Sequence, residues 1–526
     1  MAGWTAISRI TGFGRAGAIA AVLGPSYLGN IFAATNILPN LAYSLLAGAL
    51  FSNLLVPPLV RLLDADDRSG AERLAGAFLG SVLLAFGAVA LVLVLAGPLV
   101  LGLLTLSVPD PAVAAAQREA GIALLALVMP QLLLYATAAT GEAVMHARGR
   151  FALPAAAPAL ENLGVMVTLA VTAAVYGTGG DLSGDDRGAL RLLGLGATAS
   201  VGLHAAAQWW GAQRVGIRLR PRWGWREPEV RRILRRAVPS LGYSGLDVAL
   251  WLGALVVANR VPGGVIAWLL ALNFYALPSA LGPRPVAVSL LPRLSRSFHE
   301  NRWQAFRDEL VRGASLTAFL VVPAAVAYAT VARPLARAVT FGQMATPSGV
   351  TLVAACLASL ALAVVGAAAM LLGTYASYAR QDARSPFRAM VVRVAVAAVG
   401  MGLTLAVIDG TAVLIALGLT VSLAELAGGL YLARRLRRKL PQGGSRLTPA
   451  VLRAGVASLV MAVPAYVVAT RLPRVLANQW QDQLSVAAAA IVGLCVFLGV
   501  QRVLRSPELS LLLGGFREFR SPPTKG

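Results

Sequence analysis

The sequence predicts an all-α, polytopic membrane protein with about fourteen transmembrane helices, arranged as two six-helix lobes followed by two C-terminal helices. Three observations carry this prediction. Of 526 residues, 57% are hydrophobic and 13% charged, whereas soluble domains carry roughly 25% charged residues. Apolar runs of about 17–25 residues, the length that spans hydrocarbon, recur from end to end. Arginines gather in alternate connectors between those runs.

Taken in order, the runs place spans at 5–23, 28–60, 76–104, 121–145, 154–176 and 192–210. Six more follow at 238–258, 265–291, 314–331, 350–373, 389–408 and 414–432, then a last pair at 454–470 and 486–500. The first run begins close to Met1 and offers no cleavage site, so no removable signal peptide is expected. The long second run contains Pro39, which is expected to kink or break it. The resulting organisation is an N-lobe (1–215), a basic connector (216–237), a C-lobe (238–433), a basic loop (434–447), two further spans (448–503) and a tail (504–526). Leu38-Pro39 followed by Val56-Pro57, and Leu277-Pro278 followed by Leu291-Pro292, hint that the two lobes are parallel repeats with a substrate site between them.

Connectors after even-numbered spans are basic: Arg61, Arg68 and Arg73; Arg148 and Arg150; Arg380, Arg384 and Arg388; and Arg434 to Lys439. Connectors after odd-numbered spans are nearly free of positive charge or acidic, as at Asp181, Asp185 and Asp186. The positive-inside rule therefore puts both termini in the cytoplasm of a cell whose inner membrane holds the chain. A net charge of +23 would point to nucleic acid in a soluble protein, but here it marks the cytoplasmic face, and no nucleic-acid partner is expected. The stretch 214–236 holds nine arginines with Trp223 and Trp225. It either lies on anionic head groups or meets a phosphate-bearing substrate on entry.

Ionisable residues inside spans are costly and face partners or a watery cavity. Arg9 and Arg15 lie on the first span, about 600° of helical rotation apart, and either snorkel to the interface or line an anion-binding cavity at two depths. Glu142, Glu161, Asp247 and Glu425 either pair with arginines of other spans or bind a coupling cation or proton. Asp247, mid-span with no basic neighbour in its own helix, is the strongest ion candidate. Arg260, Arg284 and Arg393 are possible partners or further anion contacts. His146, His204 and His299 are scattered and read as interface residues rather than metal ligands. Cys356 and Cys495 lie in apolar runs, so neither a disulfide framework nor a cysteine metal site is expected. The G-x-G-x-x-G at 12–17 follows no strand and sits in a span, so it reads as a helix-packing feature. No hydrolase elbow, metal-binding set or P-loop is present, and the loop 24–27 is uncharged, so an enzyme is not expected.

Several segments resemble the MurJ/MviN lipid II flippase family, a branch of the multidrug/oligosaccharidyl-lipid/polysaccharide exporter superfamily. Residues 8–15 (SRITGFGR) resemble its opening S-R-x-x-G-F-x-R-D, and Leu38-Pro39-Asn40 with Phe51-Ser52 and Val56-Pro57 resembles its second-span segment. Arg150-Phe151, Pro154-Ala155, Ala157-Pro158, Leu160 and Asn162 follow R-F-x-x-P-A-x-A-P-x-L-x-N; Leu277-Pro278 with Leu291 to Ser295, and Tyr378 to Pro386, match two later segments. The five motifs fall in order over roughly 8–390.

The resemblance implies two lobes around a cationic cavity for a diphosphate-sugar head group, and a groove for a polyprenyl tail on the last two spans. It also implies alternating access coupled to Na⁺ or the membrane potential, with no cofactor of the protein's own. Substrate-binding candidates are Arg9, Arg15, Asn36, Arg260, Asn273 and Arg284; Asp247 and Asp382 are candidates for ion coupling. The chain departs from the family at Ala16 and Asn30, where acids are expected, at Tyr43 and Ser44 in place of an arginine pair, at Gly48 in place of a glutamate, and at Asn273 in place of a cavity arginine. The expected function is flipping a polyprenyl-diphosphate-linked cell-wall precursor, with peptidoglycan lipid II the leading substrate. Another lipid-linked glycan, a non-transporting scaffold for cell-wall synthesis or division proteins, and a drug or cation antiporter are the alternatives.

Overall fold

A backbone crossing hydrocarbon has no water to bond, so the apolar runs are expected to close their hydrogen bonds internally as helices. The computed structural model describes residues 2–47, 54–180, 187–225, 227–441, 443, 446–476 and 478–511, and none of these forms a strand. Gly48, Phe51, Ser52, Asp181, Asp185, Asp186 and the tail beyond 511 lie outside the described residues.

The helices run α1 (Ala2–Leu23), α2 (Tyr27–Ala47), α3 (Val56–Asp64), α4 (Arg68–Leu95), α5 (Gly97–Leu104), α6 (Pro111–Val128), α7 (Gln131–Ala147), α8 (Ala152–Tyr176), α9 (Arg187–Arg214) and α10 (Pro228–Ala258). They continue as α11 (Gly264–Leu281), α12 (Pro283–His299), α13 (Trp303–Val339), α14 (Pro347–Ser359), α15 (Ala361–Ala379), α16 (Arg384–Val407), α17 (Ala412–Lys439), α18 (Thr448–Leu476) and α19 (Gln481–Val503). Several predicted spans are made of two consecutive helices, among them α6 with α7, α11 with α12, and α14 with α15. Pro130 and Pro283, which lack the N–H that a continuous helix needs, mark the breaks between α6 and α7 and between α11 and α12. Thirteen segments among the described residues are long and apolar enough to cross a membrane. The 21-residue α2, rich in asparagine, corresponds to the second predicted span and is not one of these thirteen. It runs through Pro39 to Ala47, so the break expected at that proline does not occur there.

Local signals set the helix ends. Gly24 at φ +62° closes α1, and its N–H bonds the Ala20 carbonyl, a conformation that glycine reaches without a Cβ penalty. Asp67 caps α4 by accepting from the Gly70 N–H at 2.7 Å, and Asp110 caps α6 ahead of Pro111.

Two compact units divide the chain: Met1–Leu270 with Phe341–Gly349, and Ala271–Thr340 with Val350–Gly526. In the first, α8 packs on α1 and α9, α7 on α9, and α2 on α6 and α10. The seventh span, α10, belongs to this unit. The arginine-rich connector also packs here. Its backbone lies against α4, where the Arg222 N–H bonds the Gly76 carbonyl and a methyl at Gly80 would fall 2.0 Å from the Arg222 carbonyl oxygen. Ile217 and Leu219 are buried while Trp223 stays exposed. The second unit packs α15 and α16 on α17, and α13 on α18, with α18 against α19.

Asn30 shows why one departure from the family pattern is tolerated. It is fully buried; its Nδ2 donates to the Val261 carbonyl at 2.8 Å and its Oδ1 accepts from the Val265 N–H at 3.0 Å. That clamp, from α2 to the turn before α11, needs a donor and an acceptor on one side chain, and an ionised aspartate offers acceptors alone. Asn30→Asp is therefore expected to cost at least about 2 kcal/mol, read as a lowered melting temperature of the detergent-solubilised protein. Wild-type melting would show that the clamp contributes nothing.

Candidate functional site

The first unit carries a polar seam where its helices meet. Arg15 projects from α1, and its Nη1 lies 3.1 Å from Oε1 of Glu161 on α8. The same oxygen accepts from the Tyr135 hydroxyl of α7 at 3.1 Å, and Oε2 faces Nδ1 of His204 on α9 at 3.0 Å. One carboxylate thus gathers groups from three other helices. Asn162, next in sequence to Glu161, donates to the Thr11 hydroxyl and the Ser8 carbonyl of α1, holding α8 in register beside Arg15. Deeper in the seam, Gln131 bonds Asn36 of α2 and Thr198 of α9, both at 3.2 Å.

Arg15, Tyr135, Glu161, Asn162 and His204 border a pocket of about 340 Å³, lined also by Asn40, Tyr43, Ser44 and Glu142. Tyr43 packs against Tyr135 with ring centroids 5.6 Å apart, so an aromatic pair stands where the family pattern has arginine. Glu142 lies 3.7 Å from His146, one turn along α7.

The sequence candidates fall in different places. Arg15 lines the pocket, whereas Asn36 accepts from Gln131 and is not one of the lining residues. Arg9 is exposed on α1, two turns earlier. Arg260 lies in the turn after α10, where its carbonyl accepts from the Tyr27 hydroxyl. Asp247 is half-buried in α10. In the second unit, Asn273 is half-buried in α11 and Arg284 is exposed in the first turn of α12. Asp382 lies two residues before α16: its carboxylate accepts from the Ser385 N–H at 3.0 Å and the Ser385 hydroxyl at 2.6 Å, with Lys439 at 3.8 Å. Partial burial pushes this carboxyl up, but the Ser385 hydrogen bonds, with Lys439 and Arg435 nearby, outweigh it and hold the group below the ordinary aspartate value. His204, expected at an interface, lies instead inside the seam. His146, His204 and His299 share no metal site, and no cluster suited to a metal occurs among the described residues.

The second unit has an ion pair of its own. Arg393 of α16 meets Glu425 of α17 at 2.6 Å, both side chains almost wholly buried, and the Tyr275 hydroxyl donates to the same carboxylate at 2.8 Å. Glu161 and Arg393 are each the tenth residue of their helix, and Pro154 and Pro386 each the third. The fifth spans of the two halves thus carry an ionisable group at the same register with opposite sign, as a diverged repeat would.

Comparison with known proteins places these features in context. The family profile described as Lipid II flippase MurJ matches residues 19–489. A probable lipid II flippase MurJ of Rhizobium tropici is 27% identical over 395 residues, covering 75% of this chain and 72% of the relative. Lipid II flippase MurJ of Burkholderia cenocepacia is 26% identical over 401 residues, covering 74% of each. Among solved structures, a lipid II flippase MurJ in an inward closed conformation aligns with a TM-score of 0.73 at 16% identity, over 95% of this chain and 98% of that one. An inward-facing multidrug resistance transporter of the MATE family reaches 0.64 at 14% identity, over 82% and 95%. At such identities the structural likeness concerns the fold.

Two predictions follow from the ionic contacts. Glu425→Ala leaves the Arg393 guanidinium without its carboxylate and is expected to cost about 3–5 kcal/mol; adding Arg393→Met should recover most of it in thermal unfolding. A single variant as stable as wild type would contradict the pairing. Because the folded Asp382 carboxyl is held low, its contribution is present above the ordinary aspartate range and is lost as pH falls through the folded value. Stability of Asp382→Asn should therefore match wild type more closely at about pH 3 than at pH 7, where the carboxylate is charged. A stability gap independent of pH would show that the carboxylate charge plays no part.

Proposed function

This chain belongs to the lipid II flippase MurJ family, and on that premise we propose that it translocates a polyprenyl-diphosphate-linked cell-wall precursor, peptidoglycan lipid II, from the cytoplasmic to the outer leaflet of the bacterial inner membrane. The chain is a multi-pass membrane transporter rather than a catalyst, and we read both termini as cytoplasmic from the arginine-rich connectors. The observation that carries the reading is Arg15, a guanidinium set inside an apolar helix and facing a polar pocket. Its planar fork suits phosphate oxygens in a bidentate way. Arg9 would meet the head group nearer the start of α1. Na⁺ or the membrane potential would drive the cycle.

A second reading rests on the two carboxylates that line the same pocket, Glu142 and Glu161. Acids facing a cavity suit an organic cation, and a chain working as a drug antiporter would raise resistance when expressed.

Cells depleted of their own lipid II flippase provide the test. Wild-type protein is expected to restore growth, and Arg15→Ala, present in the membrane at equal amount, is expected not to. Rescue by both would remove Arg15 from the mechanism. Failure of the wild type would move the cargo to another lipid-linked glycan.

A further inference from the structure

The pocket that holds Arg15 is poorly set for an anion in its present charge state. Arg15 lines it opposite Glu161 and Glu142, so with both carboxylates ionised and the imidazole neutral the formal charge of these groups is −1. Arg15 is also engaged, because Glu161 holds its guanidinium at 3.1 Å. A diphosphate must therefore displace a carboxylate from Arg15 and enter beside two negative charges.

Resting on the reading of Arg15 as the diphosphate ligand, we infer that His204 is a positioning residue that sets the affinity of this pocket for the diphosphate by taking up a proton. The geometry is specific. Nδ1 of His204 lies 3.0 Å from Glu161 Oε2, while Arg15 occupies Oε1. A neutral imidazole bonded this way carries its hydrogen on Nδ1, which leaves Nε2 to accept a proton. Once His204 is an imidazolium, Glu161 has a full counter-charge on its other oxygen, and Arg15 is free to turn to a second anion. No bond is made or broken besides the N–H, and the formal charge of the group rises from −1 to zero.

The groups that face His204 are few. On α8 it meets Glu161; from α7 come Tyr135 and Glu142, with His146 behind the latter; α2 contributes Tyr43 and α1 Arg15. The acid of α6, Glu119, pairs with Arg187 at the opposite end of α9 and does not enter the set. Imidazole is the side chain whose ordinary charging range falls between about pH 5 and 8, which is the range to test. By reciprocity, whatever factor the proton adds to diphosphate affinity, the diphosphate adds to proton affinity.

The test is calorimetric binding of farnesyl diphosphate to the detergent-solubilised full chain at pH values from 8 to 5.5. Wild type, Arg15→Ala, His204→Gln, His204→Arg and His146→Gln are compared. The probe's own protonation is common to all five, so the differences between them report the protein. Wild-type affinity is expected to rise about tenfold more on acidification than that of His204→Gln, which keeps an amide donor for Glu161 but takes up no proton. His204→Arg, permanently charged, should bind tightly throughout. Arg15→Ala should bind weakly at every pH. If His204→Gln keeps the wild-type pH profile, or if His146→Gln loses it instead, the role of His204 is overturned while Arg15 stands. If binding does not depend on Arg15 at any pH, the reading beneath it falls as well.

Discussion

A guanidinium carried into hydrocarbon on an apolar helix needs a partner, and for Arg15 the partner is Glu161. The first unit is arranged around that need. Glu161 can reach Arg15 because α8 lies along α1, held there by Asn162 on the Thr11 hydroxyl and Ser8 carbonyl. The carboxylate also accepts from Tyr135 and faces His204, which tie α7 and α9 to the same point. A buried charge left half-satisfied is costly, so each of these contacts constrains the placement of a helix as well as the charge.

The same pairing links the fold to transport. A cation fully neutralised by its own protein is a poor ligand for a diphosphate, and a bare one would be costly to hold between turnovers. Sharing one carboxylate between Arg15 and His204 resolves the conflict, since the counter-charge can pass from one to the other without moving a helix. The second unit holds a comparable pair, Arg393 with Glu425, tighter and more buried. With Tyr275 on the same carboxylate, it joins α16, α17 and α11 within that unit.

Much of this was legible in the sequence, for physical reasons that can be named. The spans follow from the length of the apolar runs, and α2 was readable as a span although its asparagines lower its hydropathy. Arg15 stands out because an arginine inside such a run must either snorkel to the interface or face a partner or a watery cavity. Its partner does not, since Glu161 is 146 residues away and the choice among four buried acids is made by tertiary packing. His204 was missed because a lone histidine in an apolar run reads equally well as an interface residue, and its partner is likewise on another helix. Asn30 registered as a lost acid. Its role depends on Val261 and Val265, more than 200 residues on, which no local pattern reveals. Pro39 reads as a kink or a break, and α2 continues through it unbroken.

Transport in this scheme requires Arg15 to exchange Glu161 for the phosphates of the cargo. Cryo-electron microscopy of the full chain with a bound polyprenyl diphosphate tests it most directly. Diphosphate oxygens are expected within hydrogen-bond distance of the Arg15 guanidinium, with Glu161 turned toward His204. A diphosphate bound elsewhere, with the Arg15–Glu161 contact intact, would contradict it.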